Sequence, residues 1–405
     1  MIRRRAGSLF IVVAGAVGAR TVAAQLPRRP ITRADAIGSA TTRGLMLRTA
    51  RADTLLASGQ LIAARAFANP GLTASYTKSA PQYHAELELP FPAPWLRRAR
   101  IGAAASGVTA ARLRFDLARA SAALDADTSY TLAIAARARA LLSTRTAADA
   151  DTLLRMAIAR RDAGDASDLD VELARVNAGQ QANAAAGDSL VLQSALLDLQ
   201  LAMGLDADSV VAWPVDSLIA LPPPPATGGE PLAVAAAVAG LRAATSGLTA
   251  ERRAVWGVPS LIAGIETHDP SGSEPGILPV VGVALPLPFF DRNRGGIVIA
   301  SAERERAVAE LALARLESRT RVAQAERTLG AARARVERGR ALVESANRVA
   351  AMSLAAYREG ASTLPNVLEA QRNARDILAQ YVDDLARAWI ASATLRALTL
   401  TAAPR

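Results

Sequence analysis

The sequence repeats itself at a constant spacing of 196 residues, and this duplication limits what the chain can fold into. Pro90, Arg98 and Gly164 recur at this spacing, and so do four further residues. The complete pairs are Pro90/Pro286, Arg98/Arg294, Ile101/Ile297, Gly164/Gly360, Val171/Val367, Ala174/Ala370 and Asn177/Asn373. Because one offset holds for more than eighty residues, the segment between these positions has the same length in both copies. A helix of fixed length explains this better than a loop, which tolerates insertions.

A run rich in proline and glycine at 222–229 separates the two copies and is predicted to be a linker. We divide the chain into a leader (1–24), a first repeat (25–221), a linker (222–230) and a second repeat (231–405). Each repeat is predicted to have the same order of elements. These are a helix (32–67 in the first copy), a β-hairpin (about 70–90 and 259–287), a long helix (96–161 and 294–358), a tight turn (162–168 and 359–365) and a further helix (169–204 and 366–399).

The first 24 residues have the pattern of a secretory signal, with Arg3, Arg4 and Arg5 before an apolar run and small residues at the end. The apolar run is too short to cross about 30 Å of hydrocarbon. We expect no transmembrane helix in the rest of the chain, although strands could still cross a membrane. The absence of cysteine excludes disulfides, thiolate metal sites and anchoring through a lipidated cysteine.

The long helix of the second repeat carries a heptad pattern. Apolar residues recur every seven positions, and small residues follow them by three. The first set is Val322, Leu329, Val336, Val343, Ala350 and Tyr357, and the second is Ala325, Ala332, Gly339, Ala346 and Ser353. This pattern predicts a coiled coil in which helices approach closely at the small positions. An ordinary bundle helix is the alternative, but an interior glycine such as Gly339 costs about 1 kcal/mol relative to alanine. About 65 helical residues make a rod of roughly 100 Å, which predicts a curved helical wall.

The hairpins alternate apolar residues with polar ones, as strands with one face on lipid and one in water do. We expect the polar positions to line a lumen: His84, Glu86, Glu88 and Glu266. Aromatic residues near the hairpins are predicted to lie at the lipid interface: Tyr76, Tyr83, Trp95, Phe289 and Phe290. Because four strands cannot close a barrel, three copies would have to contribute twelve. A β-patch on a soluble domain is the alternative.

The inventory of reactive groups is poor. His84 and His268 are the only histidines, and no Ser-His-acid arrangement has a recognisable spacing. We predict no catalytic residues, no cofactor and no metal site, although a metal relay of the two histidines with nearby glutamates is an alternative. Of the formal charge of +10, four arginines fall in the first 24 residues, and the other arginines alternate with acids. This pattern is typical of solvated helix faces, so nucleic acid is not predicted as a partner.

Five segments of the sequence resemble the TolC-like outer-membrane efflux family. The segment 285–295 (LPLPFFDRNRG) is similar to the strand-to-helix junction of its CzcC-like branch, which comprises outer-membrane components of heavy-metal exporters. The turns at 161–167 (RDAGDAS) and 358–363 (REGAST) are similar to the periplasmic tip turns of the family. The runs DVELA at 170–174 and NVLEA at 366–370 follow them. The order and spacing of these segments match across nearly the whole chain.

The resemblance implies a mainly α fold with a small transmembrane β part and tandem repeats. Long coiled-coil helices would form an α-barrel, and four strands per protomer would join a trimeric twelve-stranded barrel. The implied protein is a passive homotrimeric conduit in the outer membrane that extends into the periplasm. Its implied partners are outer-membrane lipid, a periplasmic adaptor and an inner-membrane pump of the RND type. A periplasmic coiled-coil adaptor or scaffold that does not span the membrane is the alternative, and the choice between metal ions and organic compounds as substrate stays open.

The resemblance also assigns roles to residues of the two turns. The implied adaptor-docking residues are Arg161, Gly164, Asp165, Ser167, Arg358, Gly360, Ser362 and Thr363. Asp170 and Glu369 take the places of acids that form a cation-sensitive periplasmic gate in the family. Asn366 stands where a further acid is often found, so the implied ring is less negative than in some relatives.

Overall fold

The computed structural model describes residues 27–206, 211–219, 223, 229–268, 270–272 and 276–401. The predicted leader and most of the predicted linker lie outside the described residues. The helices are α1 (Arg33–Arg43), α2 (Leu45–Arg65), α3 (Pro94–Asp162), α4 (Asp168–Met203), α5 (Leu232–Arg253), α6 (Arg294–Arg358) and α7 (Leu364–Leu398). The strands are β1 (Arg28–Ile31), β2 (Gly71–Tyr76), β3 (Tyr83–Pro90), β4 (Val211–Pro214), β5 (Ser260–Thr267) and β6 (Ile277–Ala284).

Two long helices set the dimensions of the molecule. Helix α3 has 69 residues and α6 has 65, so each is about 100 Å long. Near the sheet, neighbouring helices pack in the order α2, α3, α5 and α6, and towards the other end the order is α4, α3, α7 and α6. The shorter helices therefore succeed one another along the long ones, and the helices form a wall. The predicted fold class, mainly α with a small β part and long coiled-coil helices, is confirmed.

The predicted heptad of α6 faces the interior of the wall. Each of its eleven positions is buried or half-buried. Gly339 has the close approach that the small residues predicted, because a Cβ atom added there would lie 2.9 Å from Cδ2 of Tyr381 on α7. The missing side chain at Gly339 is thus what lets the Tyr381 ring approach the α6 backbone.

The two hairpins join into one antiparallel sheet with the order β2-β3-β5-β6. Strands β3 and β5 pair along their full length, from Tyr83 opposite Thr267 to Pro90 opposite Ser260. Within this four-stranded sheet, β2 and β6 are the outer strands. This register fixes which residues share a face, because directly opposed residues on neighbouring strands point to the same side.

A second, smaller sheet, which the sequence does not predict, lies near the middle of the long helices. Strand β1 pairs in parallel with β4, and both are only four residues long. Ile31 and Ala212 from these strands are buried in the largest apolar cluster, together with Tyr130 of α3 and Leu385 of α7. Short strands of this kind carry too few residues to show an alternating pattern, so sequence periodicity gives no signal for them.

The predicted first helix, 32–67, is interrupted at one residue. Gly44 has an extended backbone (φ −52°, ψ 130°) and separates α1 from α2. A Cβ atom at Gly44 would lie 2.5 Å from the carbonyl oxygen of Ala40, so glycine is required in this conformation. The prediction of a single continuous helix is wrong, because a lone glycine is tolerated in many helices and does not by itself indicate a break.

One helical segment, Leu232–Trp256, is long and apolar enough to cross a membrane when judged by length and composition alone. Its first 18 residues contain a single charged side chain, Arg242. No transmembrane helix is expected from the sequence after residue 24. In the folded chain this segment, which contains α5, packs between α3 and α6. Its apolar, alanine-rich composition is what close packing between two long helices requires.

Candidate functional site

One face of the four-stranded sheet is apolar and exposed across all four strands. The exposed fraction reaches 75% for Leu72 on β2 and 86% for Val281 on β6. Exposed apolar residues on this face are Leu72, Tyr76, Tyr83, Leu87, Leu89, Leu261, Ile265, Ile277, Val281 and Val283. A continuous exposed apolar surface of this extent is rare on soluble proteins and marks a contact with lipid or with another protein.

The opposite face carries the predicted polar residues. Register places His84, Glu86 and Glu88 of β3 on one side, with Glu266 directly opposite His84. His84 Nδ1 lies 3.2 Å from Glu266 Oε1, and His84 Nε2 lies 3.2 Å from the Thr77 hydroxyl. The four polar residues that were predicted to line one face therefore lie on the same face of the sheet. Among the described residues, no group of three or more His, Cys, Asp or Glu side chains could hold a metal ion.

The predicted interface aromatics lie at the two ends of the apolar face. Tyr76 and Tyr83 stand at the hairpin turn, with ring centroids 5.3 Å apart. Trp95, Phe289 and Phe290 lie at the opposite end, where the strands meet the long helices, and all three are exposed. Eight strand residues separate the two ends by about 26 Å. This distance is close to the height of the apolar band on membrane-spanning sheets, which aromatic residues border at both interfaces.

The turn between α3 and α4 is built by hydrogen bonds at both helix ends. Gly164 closes α3 with a φ of +85°, and its N–H donates to the carbonyl of Arg161 at 2.8 Å. Asp165 N–H reaches back to the carbonyl of Arg160 at 2.8 Å. Ser167 then caps α4. Arg161 pairs with Asp162 at 2.6 Å, and this hydrogen bond holds the pKa of Arg161 above its usual value.

The turn between α6 and α7 has the same form with fewer side-chain bonds. The helix ends at the exposed residue Arg358, and Gly360 follows with a φ of +74°. Thr363 is the N-cap residue of α7 but makes no capping hydrogen bond through its side chain. Ser362 is half-buried and Thr363 is exposed. Both glycines need the left-handed backbone conformation that other residues adopt at a cost.

An arginine that sequence analysis did not select connects the two turns. Arg160 of α3 donates from Nη1 to the carbonyl oxygen of Tyr357 at 2.8 Å, near the end of α6. Its guanidinium also lies 4.7 Å from the centroid of the Tyr357 ring, which is buried. Leu153, Val171, Leu364 and other apolar residues surround this ring. The only sequence signal was Tyr357 itself, the one aromatic residue in the α6 heptad.

The two predicted gate acids have different local roles. Asp170 accepts hydrogen bonds from the backbone N–H (3.1 Å) and the hydroxyl (2.9 Å) of Ser167, and so completes a capping box at the start of α4. Glu369 is exposed and accepts a hydrogen bond from the Asn373 amide at 3.2 Å. Asn366 is the residue of α7 that corresponds to Asp170 in the repeat. Helix α4 thus begins with an acid in its capping box, and α7 does not.

A buried polar network at the small sheet was also missed by sequence analysis. Asp127 of α3, which is 5% exposed, is ion-paired with Arg33 of α1 and lies 3.0 Å from Arg396 of α7. The hydroxyl of Tyr130 lies 2.9 Å from the carbonyl of Ile31 and 2.8 Å from the carboxylate of Asp216. Burial, together with the hydrogen bond to Asp216, raises the pKa of Tyr130 to about 12.

Known proteins share the fold of this chain, and one family model matches part of its sequence. Residues 232–399 match the family described as outer membrane efflux protein. The chain is similar to a membrane protein from Pseudomonas aeruginosa (TM-score 0.75, 22% identity, 91% of this chain and 90% of that one). It is also similar to the outer membrane protein VceC from Vibrio cholerae (0.73, 20%, 91% and 96%) and to the CmeC outer membrane channel of Campylobacter jejuni (0.74, 15%, 91% and 85%). The sequence matches no protein of curated function.

Proposed function

From the match of residues 232–399 to the outer membrane efflux protein family, we propose that three copies of this chain form an outer-membrane channel for efflux. The solved structures of similar fold include proteins described as outer membrane channels, and they match about nine tenths of this chain. A non-enzymatic conduit agrees with both findings. The alternative of a membrane-independent adaptor or scaffold is disfavoured, because these similar folds belong to channels rather than adaptors.

The observation that carries the proposal is the exposed apolar face of the sheet at one end of helices about 100 Å long. A sheet with open outer strands and an apolar face can be stable in lipid only if the strands close into a barrel. Four strands are too few to close, so each copy supplies a third of a twelve-stranded barrel. The long helices then continue the channel through the periplasm.

We assign the residues of the sheet by face. The lumen of the barrel is lined by His84, Glu86, Glu88 and Glu266. These polar side chains keep the lumen hydrated. Tyr76 and Tyr83 mark one lipid interface, while Trp95, Phe289 and Phe290 mark the other. The side with Trp95 faces the periplasm, because the long helices start there.

The two turns are the periplasmic tip, where an adaptor binds. Gly164 and Gly360 expose backbone at the tip, and nothing lies within 4 Å of a Cβ atom added at Gly164. The other residues of the docking surface are Arg161, Asp165, Ser167, Arg358, Ser362 and Thr363. Asp170 and Glu369 narrow the entrance, although the capping bond of Asp170 leaves it less free to bind cations. An inner-membrane pump of the RND type supplies the energy.

The junction 285–295 resembles that of the CzcC-like branch, and this resemblance supports heavy-metal ions over organic compounds as the substrate class that we propose. The test uses a host whose own exit channel has been removed and which expresses this chain with the adaptor and pump encoded beside it. We expect growth in toxic metal salts to be restored and the full-length protein to be recovered as a trimer in the outer-membrane fraction. A water-soluble periplasmic monomer would overturn the channel, whereas resistance to organic compounds alone would overturn only the metal branch.

A further inference from the structure

Arginines cluster at the level where four helices meet the four-stranded sheet. Helices α2 and α5 end at this level, and α3 and α6 begin there. The stretches of chain at this level contain eight arginines and two acids: 61–67, 91–100, 249–256 and 287–296. We call the eight arginines the arginine belt: Arg65, Arg97, Arg98, Arg100, Arg252, Arg253, Arg292 and Arg294. The belt therefore carries an excess of positive charge within about two turns of the helix ends.

The arginine belt has no counter-charge within the described chain. None of its eight side chains lies within ion-pair distance of a carboxylate of the described residues. Arginines further along α6 do pair, Arg304 with Glu305 at 2.6 Å and Arg306 with Glu310 at 2.8 Å. Charges in a protein surface are usually interspersed in sign, so an unpaired cluster of one sign points to an anionic partner.

The two acids at the level of the belt have another role. Glu251 Oε2 accepts a hydrogen bond from Nδ2 of Asn293 at 2.7 Å. Asp291 Oδ1 accepts one from the backbone N–H of Asn293 at 2.8 Å. Both carboxylates thus hold the residue that precedes α6, and neither of them pairs with an arginine.

Uncharged groups hold two of the belt arginines next to exposed aromatic rings. Arg97 donates from Nη2 to the carbonyl of Arg65 at 3.0 Å, and its guanidinium lies 4.8 Å from the centroid of the Phe67 ring. Arg253 donates from Nη1 to the carbonyl of Trp95 at 3.1 Å. Phe67 and Trp95 are 61% and 57% exposed. These partners fix the arginines in place without neutralising them.

The depth of the belt matches the headgroup layer of a bilayer. Trp95 is one of the aromatic residues that we assign to the periplasmic lipid interface. Arg98 follows it by three residues on α3, so the two share a helix face, with Arg98 about 4.5 Å further from the sheet. The headgroup layer on each side of the hydrocarbon is about 5–7 Å thick. Arg294, the partner of Arg98 in the repeat, begins α6 at the same level.

The other end of the sheet has no such cluster. The hairpin turns there, 77–82 and 268–276, contain in their sequence one lysine, one aspartate and one glutamate. The excess of positive charge is therefore confined to the end where the long helices begin. In the proposed channel this end faces the periplasm.

We propose that the arginine belt binds the headgroups of anionic phospholipids in the periplasmic leaflet of the outer membrane. This inference rests on the proposed channel and names the lipid class that the channel selects. Guanidinium groups bind phosphate oxygens through paired hydrogen bonds, and a surplus of cations favours lipids with net negative charge over zwitterionic ones. An acidic protein would also suit the charge, but exposed aromatic rings beside the arginines are typical of a lipid interface.

The test measures lipid selectivity of the purified full-length trimer in neutral detergent. The protein is titrated with phosphatidylglycerol or with phosphatidylcholine of the same acyl chains, and native mass spectrometry counts the lipids that stay bound. The variant is Arg98→Gln/Arg252→Gln/Arg294→Gln, because these three side chains are exposed and make no hydrogen bond within the described chain. We expect the parent to retain phosphatidylglycerol preferentially and the variant to bind it about fivefold more weakly for each arginine that a headgroup loses.

The matched control removes the same charge from the same three helices at another level. It is Arg112→Gln/Arg242→Gln/Arg315→Gln, whose residues are also exposed and lie between about 15 and 30 Å along the helices from the substituted belt arginines. We expect the control to keep the lipid preference of the parent. Added salt should weaken the preference in the parent and in the control, since it screens exposed charges.

Native mass of the same samples separates the possible failures. Intact trimers that bind both lipids equally, or that lose the preference equally in the two triple variants, overturn the belt and leave the channel proposal standing. Displacement of phosphatidylglycerol by inorganic phosphate would indicate a site for a free anion, and this outcome rejects the lipid. Loss of adaptor binding in the belt variant with unchanged lipid binding rejects it too, in favour of a protein partner. A monomer in every sample overturns both the belt and the channel.

Discussion

At the scale of single residues, the carboxylate of Asp127 is a buried charge that is paired with two arginines. It lies between Arg33 and Arg396, which come from the first and last helices of the chain. We expect Asp127→Ala to lower the free energy of unfolding by about 3 kcal/mol, because it leaves Arg33, whose side chain is only 16% exposed, without its counter-charge. The measurement is the thermal unfolding of the detergent-solubilised protein followed by circular dichroism.

A more exposed ion pair provides the control for this substitution. Arg139 and Asp383 also join α3 to α7, at 2.5 Å, but their side chains are 38% and 28% exposed. We expect Asp383→Ala to cost less than about 1 kcal/mol, since solvent screens pairs of this kind. Equal losses of unfolding free energy for Asp127→Ala and Asp383→Ala would show that the contribution of Asp127 to stability does not depend on its burial.

The raised pKa of Tyr130 predicts that the stability of the folded chain falls at alkaline pH. Its pKa is about 12 in the folded chain and near 10 when unfolded, so between these values the folded state binds the proton and the unfolded state does not. Its contribution to stability is complete below pH 10 and is lost as the pH rises towards 12. We expect a loss of about 1.4 kcal/mol per pH unit in this window.

The matched variant for the pH dependence is Tyr130→Phe, which retains the ring. Its stability should be lower at neutral pH, because the hydroxyl contacts with Ile31 and Asp216 are lost. Its decline between pH 10 and 12 should be shallower than that of the parent protein in urea titrations at fixed pH. Parallel declines would mean that Tyr130 does not carry the effect.

At the scale of the elements, two glycines of α6 should respond in opposite ways to substitution. Nothing lies within 4 Å of a Cβ atom at Gly330, whereas at Gly339 the Tyr381 ring is 2.9 Å away. We expect Gly330→Ala to raise stability by about 0.5–1 kcal/mol through helix propensity. Gly339→Leu should lower it by about 1–3 kcal/mol through overpacking. Thermal melts of the two variants compare them directly, and a stabilised Gly339→Leu would contradict the close approach of α6 and α7.

Substitutions in the two tip turns should impair export without preventing trimer assembly. Gly164→Val and Gly360→Val force a β-branched residue into positive φ, at a cost of about 1–3 kcal/mol each, but neither site is crowded. We therefore expect trimers to form at near-normal levels while adaptor-dependent export is lost. Gly360→Asn is the control, since asparagine tolerates this conformation. Normal export by both valine variants would remove the case for the turns as the docking surface.

At the scale of the whole molecule, neighbouring valines of β6 test which face meets lipid. Val281 lies on the apolar face and is 86% exposed, and Val280 lies on the other face beside Gly264. Arginine at Val281 should cost about 2–4 kcal/mol per copy near the bilayer centre and block membrane assembly. Arginine at Val280 should leave assembly intact. The readout is the amount of trimer in outer-membrane fractions, and equal amounts for both variants would contradict the proposed lipid face.

Features that depend on local repetition could be predicted from the amino-acid sequence alone. The heptad spacing predicted the long helices, and the alternation of apolar and polar residues predicted the two faces of the sheet. The glycine at a core position of the heptad, Gly339, predicted a close approach between helices. The positions of His84, Glu86, Glu88 and Glu266 on one face also followed, because side chains in a strand alternate with a period of two.

Contacts between residues far apart in the chain depend instead on how the helices pack. Asp127 and Arg396 are separated by 269 residues, β1 and β4 pair across more than 180, and Arg160 meets Tyr357 from the other repeat. None of these contacts repeats along the sequence, so periodicity gives no sign of them. They arise because packed long helices bring distant segments to the same height, and a buried charge then requires a partner wherever that partner lies in the sequence.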